Sequence, residues 1–343
     1  MRRRIARLFD RSGVISAINA VRARGPAAWL TAITYHSTVP AIGAETLYDA
    51  GAPDVTPEAL DRHLGYLKSH FRVVSTDDVL RAIEGRPLPP RALLLTFDDG
   101  YRDNHDVVLP ILQKHGVRAV FYIATSFVEE RRLFWWDRIN YTIKSSRQSV
   151  IELEYPEKER WHVGSPSAKS ASIRRALRIV KTHHGLDLQR FLDHLAAAAG
   201  VELDRETERG LAEDRIMTWD QVRALRAAGM DVQSHTHTHR VLHTLTPDAL
   251  ARELGESRRI LEDVLGEPVR SVSYPVGLPL EDGPIREAVR AAGYLLGFTN
   301  GTGVNVFPGG DPFNMKRLSV DLEDDDSYFR AMVSVPYFAS AHH

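Results

Sequence analysis

The stretch "ALLLTFDDGYRDN", residues 92–104, decides how the chain is read. Residues 92–97 are apolar almost without a break, as a strand covered on both faces has to be. The run ends on two adjacent acids, Asp98 and Asp99, and then Gly100. An Asp-Gly pair between apolar runs is a hairpin signal. Here, however, the following residues, "YRDNHDVVLPILQKHG", place their apolar positions at helical spacing. The unit is therefore strand, acidic turn, helix, the repeating element of a parallel sheet. Reactive side chains of α/β enzymes sit at the carboxyl ends of such strands. Two carboxylates at one strand end repel each other, and a bound cation would compensate.

The same rhythm extends in both directions. "WLTAITYH" and "FRVVS" read as strands around a helix that starts at Thr56 as N-cap with Pro57 behind it. "VRAVFYIA", "MDVQS", "RSVSYP" and "LLGFT" read as further strands. Between them lie helices such as "TWDQVRALRAAG", which opens with a Thr218–Gln221 capping box, and "TPDALARELGESRRILEDVLG". Repeated βα units imply a parallel sheet, open or closed into a barrel. Residues 131–215 lack the rhythm and hold two or three helix-like stretches, so they read as an insertion within a domain spanning 29–343. Residues 1–28 carry Ile5, Leu8, Phe9, Ile15, Ile18 and Val21 among arginines, the pattern of a basic amphipathic helix. Docking on its own domain is the first expectation for it; peripheral contact with the inner membrane face is the second. "DLEDDD", 321–326, lacks the spacing of a calcium loop and reads as a solvated helix start.

Composition narrows the chemistry. A formal net charge of -1 gives no reason to expect nucleic acid as a partner. With Cys 0, thiol nucleophiles and Cys-based metal sites are excluded, so any metal must be held by nitrogen and oxygen, and His 15 leaves ample supply. No apolar run is long enough for a membrane span, and the N-terminal segment is too interrupted for a signal peptide, so the expected place is the cytoplasm.

A second polar cluster, "QSHTHTHRVLH", 233–243, again follows a strand. His235 and His239 share a face if the backbone turns helically; His235, His237 and His239 share one if it stays extended. Either way imidazoles meet near a strand end. One Asp, two His and an open position form a familiar catalytic zinc set.

"TFDDG", "SHTHTH" and "YPVG", in that order, resemble the first three motifs of the NodB-homology polysaccharide deacetylases, carbohydrate esterase family 4. The resemblance runs from about Tyr35 to Arg317, apart from the insertion. It implies a deformed (β/α) barrel and metal-dependent removal of N-acetyl groups from amino sugars. By the family pattern Asp98 is the general base, and Asp99, His235 and His239 hold a divalent metal, Zn2+ first, with Co, Ni, Fe or Mn as alternatives. His237 occupies a variable position and is left out. The family's C-terminal Leu-x-His motif has no counterpart; "LDH" at 192–194 lies in the insertion, before the histidine cluster. "ITYHSTVP" resembles instead the permuted poly-N-acetylglucosamine deacetylases, whose acid histidine comes first, which makes His36 the general acid.

The third motif departs from the family. Ser273 stands where an arginine normally orients the base, and Arg317 in "MKRLSV" is the candidate to supply that charge. The main-chain N–H near Val276, with Tyr274 beside it, is the expected oxyanion and substrate contact. Trp135 and Trp136 read first as core, second as a stacking wall for sugar. The expected substrate is an N-acetylated glycan or glycan precursor. Two other readings stay open: a cyclic-amide hydrolase of the allantoinase-like kind, and a catalytically silent carbohydrate-binding protein.

Overall fold

The computed structural model describes residues 2–24, 29–38, 53–281 and 283–335. Two helices come first, α1 (Arg2–Arg11) and α2 (Val14–Arg22), followed by β1 (Trp29–Tyr35) and the short β2 (Ser37–Thr38) and β3 (Pro53–Val55). Then come α3 (Pro57–His70), β4 (Arg72–Val73), α4 (Thr76–Ile83) and β5 (Ala92–Phe97). A π-helical turn, Asn104–Val108, leads into α5 (Leu109–His115), after which the chain enters β6 (Val120–Ile123). The alternation then breaks for α6 (Thr125–Glu130), α7 (Trp135–Ser145), the hairpin β7 (Val150–Leu153) and β8 (Glu159–His162), α8 (Pro166–Thr182), α9 (Leu188–Ala198) and α10 (Arg205–Arg215). It resumes with α11 (Trp219–Ala227), β9 (Asp231–Ser234), α12 (Pro247–Leu265), β10 (Ser271–Ser273), α13 (Pro284–Ala291) and β11 (Leu296–Phe298). The last elements are β12 (Asn305–Val306), β13 (Leu318–Ser319) and α14 (Asp326–Ser334).

Local chemistry sets these boundaries. The Thr56 hydroxyl accepts from the Ala59 N–H, and Thr218 and Gln221 form the reciprocal capping box their spacing predicts. Gly116 and Gly266, at φ 62° and 68°, end α5 and α12 in the left-handed conformation.

The main sheet runs β11-β10-β9-β6-β5-β1, with β4 beside β5; every pair along it is parallel, and only β12 joins β1 antiparallel. Period-2 alternation divides β5: Leu93, Leu95 and Phe97 pack against helix residues such as Leu64 and Leu112, while Leu94 joins Ala32, Tyr122, Phe298 and Met315 inside the curl. The two ends of the sheet are tied together by residues 315–319. Met315 bridges Phe298, and Leu318 and Ser319 pair with Ile33 and Thr34 of β1. This is the parallel βα sheet that the sequence pattern implies, closed into the deformed (β/α) barrel that the family resemblance implies.

Three local expectations need correction. The N-terminal segment is two helices, broken at Ser12–Gly13, where Gly13 takes φ 78°. The acids of 321–326 are ion-paired with it instead of simply solvated: Arg3 meets Glu323 and Asp324, and Arg7 meets Asp325 at 2.6 Å. Residues 131–215 also contain the β7–β8 hairpin. Its alternation, with Ile151, Leu153 and Trp161 buried between exposed charged residues, was masked by its Glu, Lys and Arg content.

Candidate active site

Most of the candidate residues sit just past the carboxyl end of a parallel strand: His36 after β1, Asp98 and Asp99 after β5, His235 after β9, Tyr274 after β10. Ladder-like bonds continue across these ends. Asp98 N–H donates to Tyr35 O at 2.9 Å, His235 N–H to Ile123 O at 2.9 Å, and Tyr274 N–H to Phe298 O at 3.0 Å. Beyond them the backbone is forced into the left-handed region at Asp99 (φ 76°), Thr236 (65°), His239 (54°) and Val276 (64°). Such conformations are costly for residues with a Cβ, most of all for β-branched Thr and Val, and persist only where the surroundings fix them.

Asp99, His235 and His239 converge, with one ligand atom from each lying within 4.8 Å of the others. Asp99 Oδ1 is 3.2 Å from His235 Nε2 and 3.3 Å from His239 Nε2, and the two Nε2 atoms are 3.1 Å apart. His235 Nδ1 donates to Ser273 O at 2.8 Å, which turns the lone pair of its Nε2 inward. Three electron-pair donors thus point at one place, two nitrogens and a carboxylate oxygen, and this set fits a divalent cation. Burial would raise the Asp99 carboxyl, but the two adjacent imidazoles, with His36 behind them, hold it well below the usual carboxylate range, and its Oδ1 has no hydrogen-bond partner among the described residues.

Asp98 faces the other way. Arg317, fully buried, grips it with both ends of the guanidinium: Nη1 donates to Oδ1 at 2.8 Å and Nη2 to Oδ2 at 2.7 Å. The hydroxyl of Ser273 also donates to Oδ2, at 3.0 Å, and Arg317 Nη2 donates to that hydroxyl at 2.8 Å. The serine in the arginine position of the third motif is therefore one link of a charge relay from a different strand. Thr96, Thr299 and Asn300 take the remaining guanidinium donors. Burial would raise the Asp98 carboxyl; Arg317 and then His235 outweigh it and keep the group ionised.

His36 is held by Asp54, which the sequence reading missed. Asp54 Oδ2 accepts from the His36 main-chain N–H and from its ring Nδ1, the latter at 2.9 Å. Burial works against the imidazolium, but Asp54, with Asp99 and Asp98 behind it, pushes the group up to about 10. The second half of the opening stretch fixes the same loop. Asn104 Nδ2 donates to His36 O at 2.8 Å, and Asp103 accepts from the Thr38 N–H and from the hydroxyls of Thr38 and Ser37.

Glu253 was also missed. It lies on α12 and accepts from the Thr236 hydroxyl (2.8 Å), the Thr238 N–H and the Thr238 hydroxyl (2.7 Å), so it anchors the histidine loop. Its signal was present: Leu250, Leu254, Ser257 and Leu261 mark the buried face of that helix, and Glu253 falls on it. His237 points elsewhere, to Thr125 and Glu256. His194 of "LDH" accepts from the Glu154 N–H within the insertion.

A cavity of about 150 Å3 opens over these groups, lined by His36, Asp98, Asp99, His235 and His239 together with Trp135 and Trp136. Leu177 and Lys181 of α8 reach its rim. The two indoles serve both expectations, because they are buried and also wall the cavity; Trp136 lies 4.5 Å from the His239 ring. Val276 and Tyr274 line it too, but the Tyr274 hydroxyl donates to Phe313 O at 3.0 Å, leaving only its ring for a substrate. Gly277 is obligatory beside them, since a Cβ there would lie 2.4 Å from the Asn300 nitrogen.

Comparison with known proteins agrees with this geometry. A family model described as polysaccharide deacetylase matches residues 85–297. YxkH of Bacillus subtilis (strain 168) is 19% identical over 213 residues, 62% of this chain and 46% of that protein, so the chain spans about half the length of the curated relative it matches. Among solved structures, the Streptococcus pyogenes deacetylase PplD in complex with acetate superposes with a TM-score of 0.59 at 18% identity, over 91% of this chain and 100% of that one. A de-N-acetylase from Aggregatibacter actinomycetemcomitans gives 0.56 at 19% identity, over 90% and 99%. IcaB from Ammonifex degensii gives 0.54 at 18%, over 92% and 98%. At such identities the structures speak for the fold. The family model, which covers well over half of the sequence and spans the acidic turn, the histidine loop and the third motif, speaks for descent: this chain belongs to the polysaccharide deacetylase family.

Proposed function

We propose that the protein is a metal-dependent hydrolase that removes N-acetyl groups from an amino-sugar-containing glycan or glycan precursor. The observation that carries this reading is the Asp99–His235–His239 group standing beside an Asp98 clamped by Arg317. A divalent ion bound there, Zn2+ first among the metals (Zn, Co, Ni, Fe or Mn) that two imidazoles and a carboxylate accept, would supply Lewis acidity at the acetyl carbonyl. Asp98, ionised and fixed by two charge-assisted bonds, is placed to take the proton of the attacking water. As the C–N bond breaks, the departing amine needs a proton, and His36, kept protonated by Asp54, donates it. The Val276 main chain lines the same cavity and is the candidate donor to the developing oxyanion.

The test is acetate release from N-acetylated oligosaccharides after chelation and again after adding back Zn or Co. Metal-restored release that disappears in Asp98→Asn supports the assignment. A metal-loaded chain that releases acetate from no sugar sinks it.

The place of action belongs to the same proposal: the cytoplasm, with peripheral contact at the inner membrane face through α1 and α2. No described helix is long and apolar enough to cross a membrane, but Leu8 and Val21 are about two-thirds exposed on a segment rich in arginine. Failure to sediment with anionic vesicles at low salt would remove this part.

A further inference from the structure

Trp135 lines two cavities. One is the candidate active site. The other, of about 350 Å3, opens where α7, α9 and α10 meet the histidine loop. Four buried side-chain atoms without a hydrogen-bond partner among the described residues belong to its lining: Arg138 Nε and Nη1, Arg240 Nε and Glu208 Oε1. They come from three separate parts of the chain, α7, the loop after β9 and α10, and all three side chains are at least nine-tenths buried.

Each of these side chains is fixed at one end and open at the other. Arg138 Nη2 donates to Asp193 at 2.7 Å, Arg240 Nη2 to Leu186 O at 3.0 Å, and Glu208 Oε2 lies 3.5 Å from Arg132 Nε. Leaving buried donors and acceptors open is costly, so a cluster of them calls for an explanation. The charges in the lining balance, with Arg132, Arg138 and Arg240 against Glu130, Asp187 and Glu208, so the cavity selects no ion. What it offers is donors and an acceptor beside the aromatic rings of Trp135 and Phe127. Sugar hydroxyls accept from guanidinium and donate to carboxylate, and the C–H face of a pyranose packs on an aromatic ring.

We infer that this cavity is a second carbohydrate subsite, holding a neutral pyranose of the same glycan whose N-acetyl group reaches Asp98. The inference rests on the deacetylase reading and sharpens it: the substrate is an oligosaccharide or polymer, not a single sugar. Trp135, whose Nε1 donates to His239 O at 3.2 Å, is the wall shared by the two sugars.

The experiment compares acetate release from N-acetylglucosamine oligomers of one to five sugars, in β-1,4 and β-1,6 linkage, by the metal-loaded wild type, Glu208→Gln and Arg138→Gln. Both variants are expected to lose about tenfold in kcat/KM on the pentamer, as loss of a hydrogen bond to a charged group predicts, with the monosaccharide rate unchanged. Equal loss at every length, or no loss on the pentamer, overturns the subsite. Retained monosaccharide turnover also shows that the variants fold, and Glu208→Gln, which preserves shape, decides if Arg138→Gln does not. Should no sugar yield acetate, the deacetylase reading falls separately. Calorimetric binding of the pentamer to the full chain in an Asp98→Asn background then decides the subsite alone: weakening by Glu208→Gln upholds it, and indifference or absence of binding overturns it.

Discussion

Replacing Arg317 by methionine removes the charge and most of the hydrogen bonding from the floor of the site while keeping an unbranched apolar stem. Asp98, 1% exposed, would lose both bonds of 2.8 and 2.7 Å and keep only the Ser273 hydroxyl at 3.0 Å and the more distant charge of His36. Removing one partner of a buried ion pair costs about 3–5 kcal/mol because the other charge is left uncompensated. With an unfolding entropy of about 2.1 cal/mol/K per residue over 343 residues, this is a fall in Tm of about 4–7 °C. Thermal unfolding of the chelated protein at neutral pH measures it. The cost arises from the stranded carboxylate, so Asp98→Asn in the Arg317→Met background should recover a large part of it, although Asp98→Asn alone destabilises the wild type. A double variant no more stable than the single one would refute the reasoning, since Arg317 would then act through packing and not through Asp98.

Three further outcomes follow from named contacts. Asp54→Asn removes the largest of the interactions that hold His36 up near 10 and leaves only Asp99 and Asp98 against burial, so the imidazole titration in the metal-free protein should move well down from there. An unchanged NMR titration would dissolve the Asp54–His36 pairing. In Glu253→Gln the amide N–H2 faces donors of the histidine loop, and affinity for Zn should drop about 10–100-fold in chelator competition, the range for residues that orient metal ligands; equal affinity would count against the anchor. His63, stacked on Phe329 at 3.7 Å, is pushed down to about 4 by burial. Its unfolded form therefore binds the extra proton between pH 6.5 and 4, and acidification through that window should remove about 3 kcal/mol of stability. The acid slope of His63→Leu should be shallower than wild type by that one proton, and identical slopes would exclude His63 as the source.

The sequence disclosed the strand ends because a strand buried on both faces is a continuous apolar run, and a polar residue directly after it can only lie at the rim. Asp98, Asp99, His235 and His36 were all found that way. Arg317 was named as a candidate for its charge, yet nothing local shows that two strands deliver Ser273 and Arg317 to one carboxylate. Asp54 gave no signal, because its partner is 18 residues away across a segment without periodicity. The break between α1 and α2 depends on a single Gly13 in a pattern that otherwise continues, and the β7–β8 hairpin is hidden where charged residues fill its exposed face. Pairing between distant residues is what remained illegible, and the second cavity consists of little else.

Arg317 rides on the segment that ties the two ends of the sheet, 219 residues after the carboxylate it grips. That seam is thin: one bridge at Met315 and the two-residue β13. During synthesis Asp98, Asp99, His235 and His239 all emerge before Arg317, so Asp98 acquires its counter-charge only when the final strand has been made and the ring shuts. On the proposed mechanism a nascent or partly opened chain would lack a clamped Asp98, so hydrolysis would wait on closure. In the finished protein, amide exchange at Leu318 and Ser319 would report how often the seam parts, and with it the fraction of time Asp98 stands unclamped.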